Sequence, residues 1–346
     1  MIVNLIEGLI SLGCKVDLVL VKNKKLNIYS FPPGLNIVKL RASHTFSSFM
    51  PLIRYLKRER PHALLAAKNR ANQIAILAKI FAGVSTRVAV RMGTTTSSAL
   101  AGKSKLLHLA WYIPMRLIYP FADSIIAVSQ GVARDISKIT GLHSERIRVI
   151  PNPTIHSKLF SLAEENIVHP WFSCPDIPII IGIGRLTRQK DFPTLIKAFA
   201  KVRRSRPCRL IILGDGKDRA LLEGLATELG VNDDLYMPGF TNNPFAYLKR
   251  ASLFVFSSAW EGLGNVLIEA LALGIPVVST NCPNGPREVL SNGRYGPLVP
   301  VGDAHELAAA MNLTLDNPHK KAFLMSAVNE YTVEKSSKMY LDALTG

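Results

Sequence analysis

The chain has 346 residues, enough for roughly two domains, and 48% hydrophobic content without low-complexity stretches excludes a disordered protein. No apolar run reaches the ~18–20 residues that span a bilayer, and no secretory leader is legible. The formal net charge of +17 either serves solubility alone or points to an anionic partner. Nucleic acid is disfavoured as that partner, because the basic residues are dispersed and neither zinc-ligand spacing nor an RRM-type aromatic motif occurs.

In chain order, "MIVNLIEGLISLG" has helical apolar spacing and stops at Gly13. "KVDLVLV" reads as a strand. "RYLKRERP" closes a basic amphipathic helix before the apolar run "HALLAA". "ANQIAILAKIFAG" reads as a helix and "TRVAVRMG" as a strand. The apolar, aromatic and basic "KLLHLAWYIPMRLIYPFA" leads to the strand "DSIIAVS", the helix "QGVARDISKITG" and the strand "IRVIPNP". Residues 156–176, with weak periodicity, Pro170 and Pro175, read as an interdomain linker. Alternation then restarts: "IPIIIGIG", "CRLIILGDG", "LYMPGF", "SLFVFSS", "IPVVST" and "GPLVPVGD" as strands. Between them, "DFPTLIKAFAKVRR", "DRALLEGLATELG", "NPFAYLKRA" and "GNVLIEALALG" read as helices and "GPREVL" as a helical turn. "AHELAAAMNLTLDN" and the tail read as helices.

Such alternation predicts parallel sheets built from βαβ units. The expected architecture is α/β, with two doubly wound, Rossmann-like domains facing a cleft. The expected boundaries are 1–155, a linker at 156–176, a second domain at 177–325 and a C-terminal helix at 326–346. Cys14, Cys174, Cys208 and Cys282 are scattered, with no C-x-x-C pair, and are expected as reduced thiols of a cytoplasmic protein.

In doubly wound sheets ligands bind beyond the carboxyl ends of the strands. After "IIIGIG" comes "RLTRQKDF", where Arg185 and Lys190 suit a diphosphate: a guanidinium gives forked hydrogen bonds and an ammonium a point charge. A solvated basic loop is the equal alternative. "LGDG" and "MPGF" are Gly turns at strand ends, and surface turns explain them as well as a phosphate or base pocket does. "WEGLGNVLIEALALGIPVVS" is more informative. Glu261 falls in a loop, Gly262 and Gly264 permit close approach of backbone to a ligand, and a helix is expected to begin near Gly264 or Asn265. Glu269 then stands about one turn in, where it can accept bonds from ribose hydroxyls or merely stabilise the helix start.

From about 177 to 305 the chain resembles the C-terminal domain of retaining glycosyltransferases of family 4, which have the GT-B fold. The pieces are "GIGRLTRQKDFPTLIKAF", "LGDG", "LYMPGF", "EGLGNVLIEALALGIPVVST", "NGPREVL" and "GPLVPVGD", in the family's order. "ADSIIAVSQGVARDI" and "IRVIPNP" resemble it less specifically. The resemblance implies that Arg185 and Lys190 bind the diphosphate of a nucleotide-sugar donor and Glu269 its ribose. It also implies that Glu261 and the backbone of Gly262, Leu263 and Gly264 hold the transferred sugar, with N–H groups of Asn265 and Val266 on the phosphates. Glu261, Arg185 and Lys190 are thus the candidate catalytic set. No obligatory metal is implied, and no clustered Asp-x-Asp is present; "NDDL" reads as a surface turn.

Two features depart from the family. Its members open with a strand and a Gly-rich loop, whereas Met1 here lies in what reads as the following helix. The reading therefore expects an N-terminally truncated start and an interrupted N-terminal sheet, since the first strand of such a sheet is central. No His can be placed near the transferred sugar: "RVAVRMGTTTSSAL" offers Arg91, and His44, His62 and His108 read as structural or exposed.

The resemblance implies retaining transfer to a saccharide or lipid-linked acceptor in cell-envelope glycan synthesis. A GT-B sugar-nucleotide epimerase and a non-catalytic nucleotide-sugar-binding protein are the other readings. "RYLKRERP" and "LHLAWYIPMRLIYP" combine Arg and Lys with Trp111, Tyr112 and Tyr119. They read either as a contact with an anionic membrane surface, on the inner face of the plasma membrane, or as buried helices with a basic edge.

Overall fold

The computed structural model describes residues 1–21, 31–33, 35–173 and 176–346; Cys174 and Pro175 of the expected linker lie outside the described residues. The elements run α1 (Ile2–Ser11), β1 (Asp17–Leu20), β2 (Asn36–Lys39), α2 (Phe49–Glu59), β3 (Ala63–Ala67), α3 (Asn69–Ala82), β4 (Arg87–Met92), α4 (Thr96–Leu100), α5 (Lys105–Ile118), β5 (Ser124–Ala127), α6 (Gln130–Thr140) and β6 (Ile147–Val149). There follow α7 (Ser157–Ala163), β7 (Ile179–Ile183), α8 (Phe192–Ser205), β8 (Arg209–Leu213), α9 (Arg219–Glu228), β9 (Leu235–Gly239), α10 (Pro244–Lys249), β10 (Leu253–Phe256), α11 (Asn265–Ala272), β11 (Val277–Thr280), α12 (Pro286–Val289), β12 (Leu298–Val299), α13 (Ala304–Asp316), α14 (Lys321–Ser326) and α15 (Val333–Thr345). They form two compact units, residues 1–153 with 330–346, and residues 154–329.

In the first unit, β3-β4-β5-β6 form one parallel ladder and β1-β2 a separate parallel one. Among the described residues the strands of this unit thus form two ladders rather than one sheet. Adjacent residues of β3 serve opposite faces, as the pleat requires. Leu64 joins Leu52, Ile53 and Leu56 of α2 and Ile74 and Ala78 of α3. Leu65 joins Leu5 and Leu9 of α1 and Tyr340 of α15. Val19 and Val38 pack in the same α2–α3 layer, so the short ladder shares its helical cover with the longer one. Gly8 makes the α1–α15 contact possible: a Cβ there would lie 2.0 Å from Ser337 Oγ. Tyr340 is fully buried, and its hydroxyl accepts from Arg91 Nε at 2.9 Å. Arg91 also donates to Asn152. Arg91 is therefore a buried anchor for the C-terminal helix.

The second unit is one six-stranded parallel sheet in the order β12-β11-β10-β7-β8-β9. Its central strands are near-continuous apolar runs, buried on both faces: Ile179–Ile181, Leu210–Leu213, Leu253–Phe256. On one side Leu195, Ile196, Phe199 and Val202 of α8 meet Leu307 and Met311 of α13 in a single core. Chain order runs outward from β7 through β8 to β9, then jumps to β10 on the other side of β7. The switch point of this doubly wound sheet therefore lies between β7 and β10.

Three readings need correction. Residues 156–176 are not a plain linker: they contain α7 and a 3-10 turn at Pro170–Ser173, and the described ones belong to the second unit. β2 was not anticipated. α15, within the expected C-terminal helix at 326–346, belongs to the first unit, and α14 lies in the second. Cys14, Cys208 and Cys282 are free thiols, and Cys174 lies outside the described residues.

Candidate functional site

The chemistry-bearing loops leave the two strands that flank the switch point. After β7, Gly184 N–H donates to Leu213 O at 2.9 Å and Leu186 N–H to Asp215 O at 3.0 Å. The β8 turn lies so close that a Cβ on Gly214 would meet Gly184 O at 1.9 Å, and one on Gly216 would meet Leu186 O at 2.3 Å. "LGDG" is therefore a saddle on which the Arg185–Lys190 loop rests. Lys190 N–H closes a turn onto Thr187 O at 2.9 Å. Asp191 follows with φ +47°, and its carboxylate accepts from Thr194 Oγ1 at 2.8 Å, tying down the first turn of α8. Burial raises the Asp191 pKa, against the pull of those Thr194 hydrogen bonds.

The loop after β10 is joined to this one. Ser257 Oγ donates to Lys190 O at 2.7 Å, Ala259 N–H to Gln189 O at 2.8 Å, and Gln189 Nε2 to Trp260 O at 3.0 Å. Thr280 Oγ1 of β11 holds Ser258 O at 2.6 Å. These bonds bring Lys190 Nζ to 2.6 Å from Glu261 Oε1, which also accepts from Ser258 Oγ at 3.0 Å. The ammonium stands 4.8 Å from the centre of the Phe256 ring, a cation–π contact. Both side chains of the pair are largely buried. In that setting the attraction is offset by desolvation, so the pair fixes geometry more than it adds stability.

Gly264, at φ +91°, turns the chain into α11, which begins at Asn265 as the sequence predicts. The first N–H groups of a helix have no earlier carbonyl within it, and with the helix dipole such groups favour an anion. Gly285 lets the α12 turn approach: a Cβ there would lie 2.5 Å from Leu263 O. Glu269 lies in the second turn of α11. Burial pushes its carboxyl up to about 7, and the positive charge of Lys190 is a lesser influence in the other direction.

The structure thus brings together Lys190 and Glu261, and places Glu269 within the electrostatic reach of Lys190. Gly262, Leu263 and Gly264 are buried in the connecting loop, with Asn265 and Val266 partly exposed at its helical end. Arg185 is exposed and does not join the pair. Phe256, Gln189 and Thr280 are supporting residues that the sequence reading missed. Phe256 and Thr280 have one sequence signal, their position at the carboxyl ends of apolar runs, and Gln189 has none beyond lying in the basic loop. In "NDDL", Asp234 pairs with Arg203 at 2.6 Å, in keeping with a surface turn. His44 is exposed and hydrogen-bonded to Ser47, and His108 contacts Leu100 O. Among the described residues no group of three or more His, Cys, Asp or Glu is placed to hold a metal ion.

Residues 1–157 match the family model "Glycosyltransferase Family 4", and residues 167–329 match "Glycosyl transferases group 1". The chain is 34% identical over 244 residues to an uncharacterized glycosyltransferase of Methanocaldococcus jannaschii, covering 70% of this chain and 58% of that protein. It is 30% identical over 277 residues to N-acetylgalactosamine-N,N'-diacetylbacillosaminyl-diphospho-undecaprenol 4-alpha-N-acetylgalactosaminyltransferase of Campylobacter jejuni, covering 80% and 73%. It is 35% identical over 218 residues to the lipopolysaccharide core biosynthesis glycosyltransferase LpsE of Rhizobium meliloti, covering 62% and 61%. The chain therefore spans less than two thirds of the first and third of these relatives.

Among solved structures, Anabaena HepE in complex with UDP superposes with a TM-score of 0.79 at 18% identity, covering 99% of this chain and 96% of that one. The lipopolysaccharide outer core galactosyltransferase WaaB superposes at 0.70 and 18%, covering 93% and 87%. At this identity the likeness establishes the fold, an α/β protein of the GT-B type with parallel sheets. The chain belongs to glycosyltransferase family 4.

Proposed function

We propose that this protein transfers a sugar from a nucleotide-sugar donor to a saccharide or lipid-linked acceptor, with retention, in cell-envelope glycan synthesis. The observation that carries this reading is the Lys190–Glu261 pair at the switch point, beside the start of α11. A cation, a helix N-terminus and two carboxylates there suit a ligand with an anionic centre flanked by hydroxyl-rich groups. Lys190 and Arg185 take the diphosphate with the N–H groups of Asn265 and Val266. Glu261 and the Gly262–Leu263–Gly264 backbone take the sugar, and Glu269 takes the ribose hydroxyls. Binding would draw Lys190 from Glu261 toward phosphate, which frees Glu261 for a sugar hydroxyl.

In the transfer, the bond from the anomeric carbon to the phosphate oxygen breaks and its electron pair leaves with the nucleoside diphosphate. The acceptor hydroxyl oxygen bonds to that carbon on the same face, and its proton passes to the departing phosphate oxygen. Lys190, Arg185 and the α11 N–H groups stabilise the developing charge, preorganised as such donors must be. The reading therefore asks for no obligatory metal. The relatives' names support the acceptor class: one is named for a diphospho-undecaprenol-linked saccharide and another for lipopolysaccharide core biosynthesis. On this reading the protein works as a peripheral protein at the inner face of the plasma membrane, where a lipid-linked acceptor is within reach.

The test is proton NMR of a reaction with nucleotide sugar and acceptor. The expected product keeps the donor's anomeric configuration. Inversion would overturn the retaining mechanism, and conversion of donor without acceptor to a different sugar nucleotide would favour an epimerase.

A further inference from the structure

We propose that the exposed side of α5 is a membrane-docking surface that lies in the headgroup layer of an anionic bilayer. This deepens the membrane-side reading above and rests on it. Leu106, Leu109, Ile113 and Leu117 are each half or more exposed. At about 100° per residue they fall within roughly a quarter of the helix circumference. Phe121, in the 3-10 turn that follows, is exposed as well.

The helix is attached by its other side. Met115, opposite the stripe, is fully buried, as is Tyr119 just beyond the helix. Tyr119 Oη donates to Asn69 Oδ1 of α3 at 2.9 Å, and Arg70 of α3 stacks on Trp111 at 5.8 Å. The stripe is thus not core that happens to be loosely covered. It is a second apolar face on a helix already anchored by its first.

Charge selects the occupant. Lys105 and Arg116 border the stripe along one side, and Lys103 precedes the helix; all three are exposed. From residue 60 to residue 122 the chain has no Asp or Glu, although it carries Arg60, Lys68, Arg70, Lys79, Arg87, Arg91, Lys103, Lys105 and Arg116. The nearest carboxylate after α5, Asp123, is paired with Lys79 at 2.6 Å, and Asp135 of α6 accepts the Thr96 N–H. An apolar stripe with a basic border and no carboxylate fits anionic lipid: the side chains enter the acyl boundary while Lys and Arg reach the headgroups. Among the described residues no helix is long and apolar enough to cross a membrane, so the contact is one of lying on the surface.

The experiment is flotation of the full chain with vesicles of phosphatidylcholine, alone or mixed with phosphatidylglycerol, at low and high salt. The unaltered protein is expected to float with the mixed vesicles, to be released by salt, and to ignore the neutral ones. Ile113→Glu with Leu117→Glu should lower partition by roughly tenfold or more, and Lys105→Glu with Arg116→Glu likewise. Both variants should keep the unaltered melting temperature and the same nucleotide-sugar hydrolysis. Undiminished flotation of the Ile113→Glu, Leu117→Glu variant would overturn the α5 assignment while leaving membrane binding intact. No flotation of the unaltered protein would overturn both. A dimer that the same variant dissolves would assign the stripe to a second copy instead. Hydrolysis measured in the same samples reports on the donor site separately.

Discussion

Glu269 carries the clearest stability cost of burying a carboxyl in this fold. Burial raises its carboxyl from 4.5 to about 7. The folded chain therefore keeps a proton that the unfolded chain releases between those values. Stability is highest below about 4.5, falls as pH rises toward about 7, and is level beyond it. The rise is worth about 3 kcal/mol at full burial, and about 2 kcal/mol once the partial exposure of the residue is discounted. Glu269→Gln removes the ionisation while keeping the shape. Urea denaturation of both proteins between about pH 5 and pH 8 should show the substituted protein gaining on the unaltered one by about 2 kcal/mol as pH rises. Donor binding should show the opposite preference. Ribose hydroxyls donate to a carboxylate, so they favour its charged form, and donor affinity should rise with pH up to about 7 in the unaltered protein only. Parallel stability curves for the two proteins would refute the buried-carboxylate argument. Equal donor affinity at every pH would refute the ribose assignment.

Three further outcomes follow from the same geometry. Lys190→Met and Glu261→Gln should each destabilise by about 3 kcal/mol, because each breaks a largely buried ion pair. The double substitution should cost less than the two separate losses combined, and additive losses in chemical denaturation would show that the pair is not coupled. Gly214→Ala puts a Cβ against Gly184 O at a residue with φ +141°; a loss of about 3 kcal/mol and weaker nucleoside diphosphate binding are expected, and an unchanged melting temperature would contradict the saddle. Gly8→Val should weaken the docking of α15, read as faster proteolysis near residue 330, and Ser337→Gly should partly restore resistance if the contact is steric.

Much of the fold was legible because the second unit's strands are buried on both faces and therefore read as unbroken apolar runs. The start of α11 at Asn265 was legible too, from Gly264 and the apolar periodicity after it. Short elements were not. β2 shows four residues of mixed pattern, "NIVK", and α7 is a seven-residue helix whose apolar residues find their partners only in the folded unit. The site divides in the same way. Residue types at strand ends pointed to Lys190, Glu261 and Glu269, but the sequence assigned Lys190 to phosphate and Glu261 to sugar with no reason to join them. Their contact spans 71 positions and is made by the switch point, a property of strand order rather than of local spacing. "LGDG" looked like either a turn or a phosphate loop because glycine's role there is to admit another backbone. For α5 the composition left two readings level, and what folding adds is that Met115 faces inward while Leu106, Leu109, Ile113 and Leu117 face out.

The loops after β7 and β10 are proposed to bind and activate a nucleotide sugar. The most direct test is release of nucleoside diphosphate from a panel of nucleotide sugars by the unaltered protein, Lys190→Met and Glu261→Gln. At least one donor should be turned over, and each substitution should lower the rate by roughly a hundredfold or more with the fold intact. A donor turned over equally well by all three proteins would contradict the proposal.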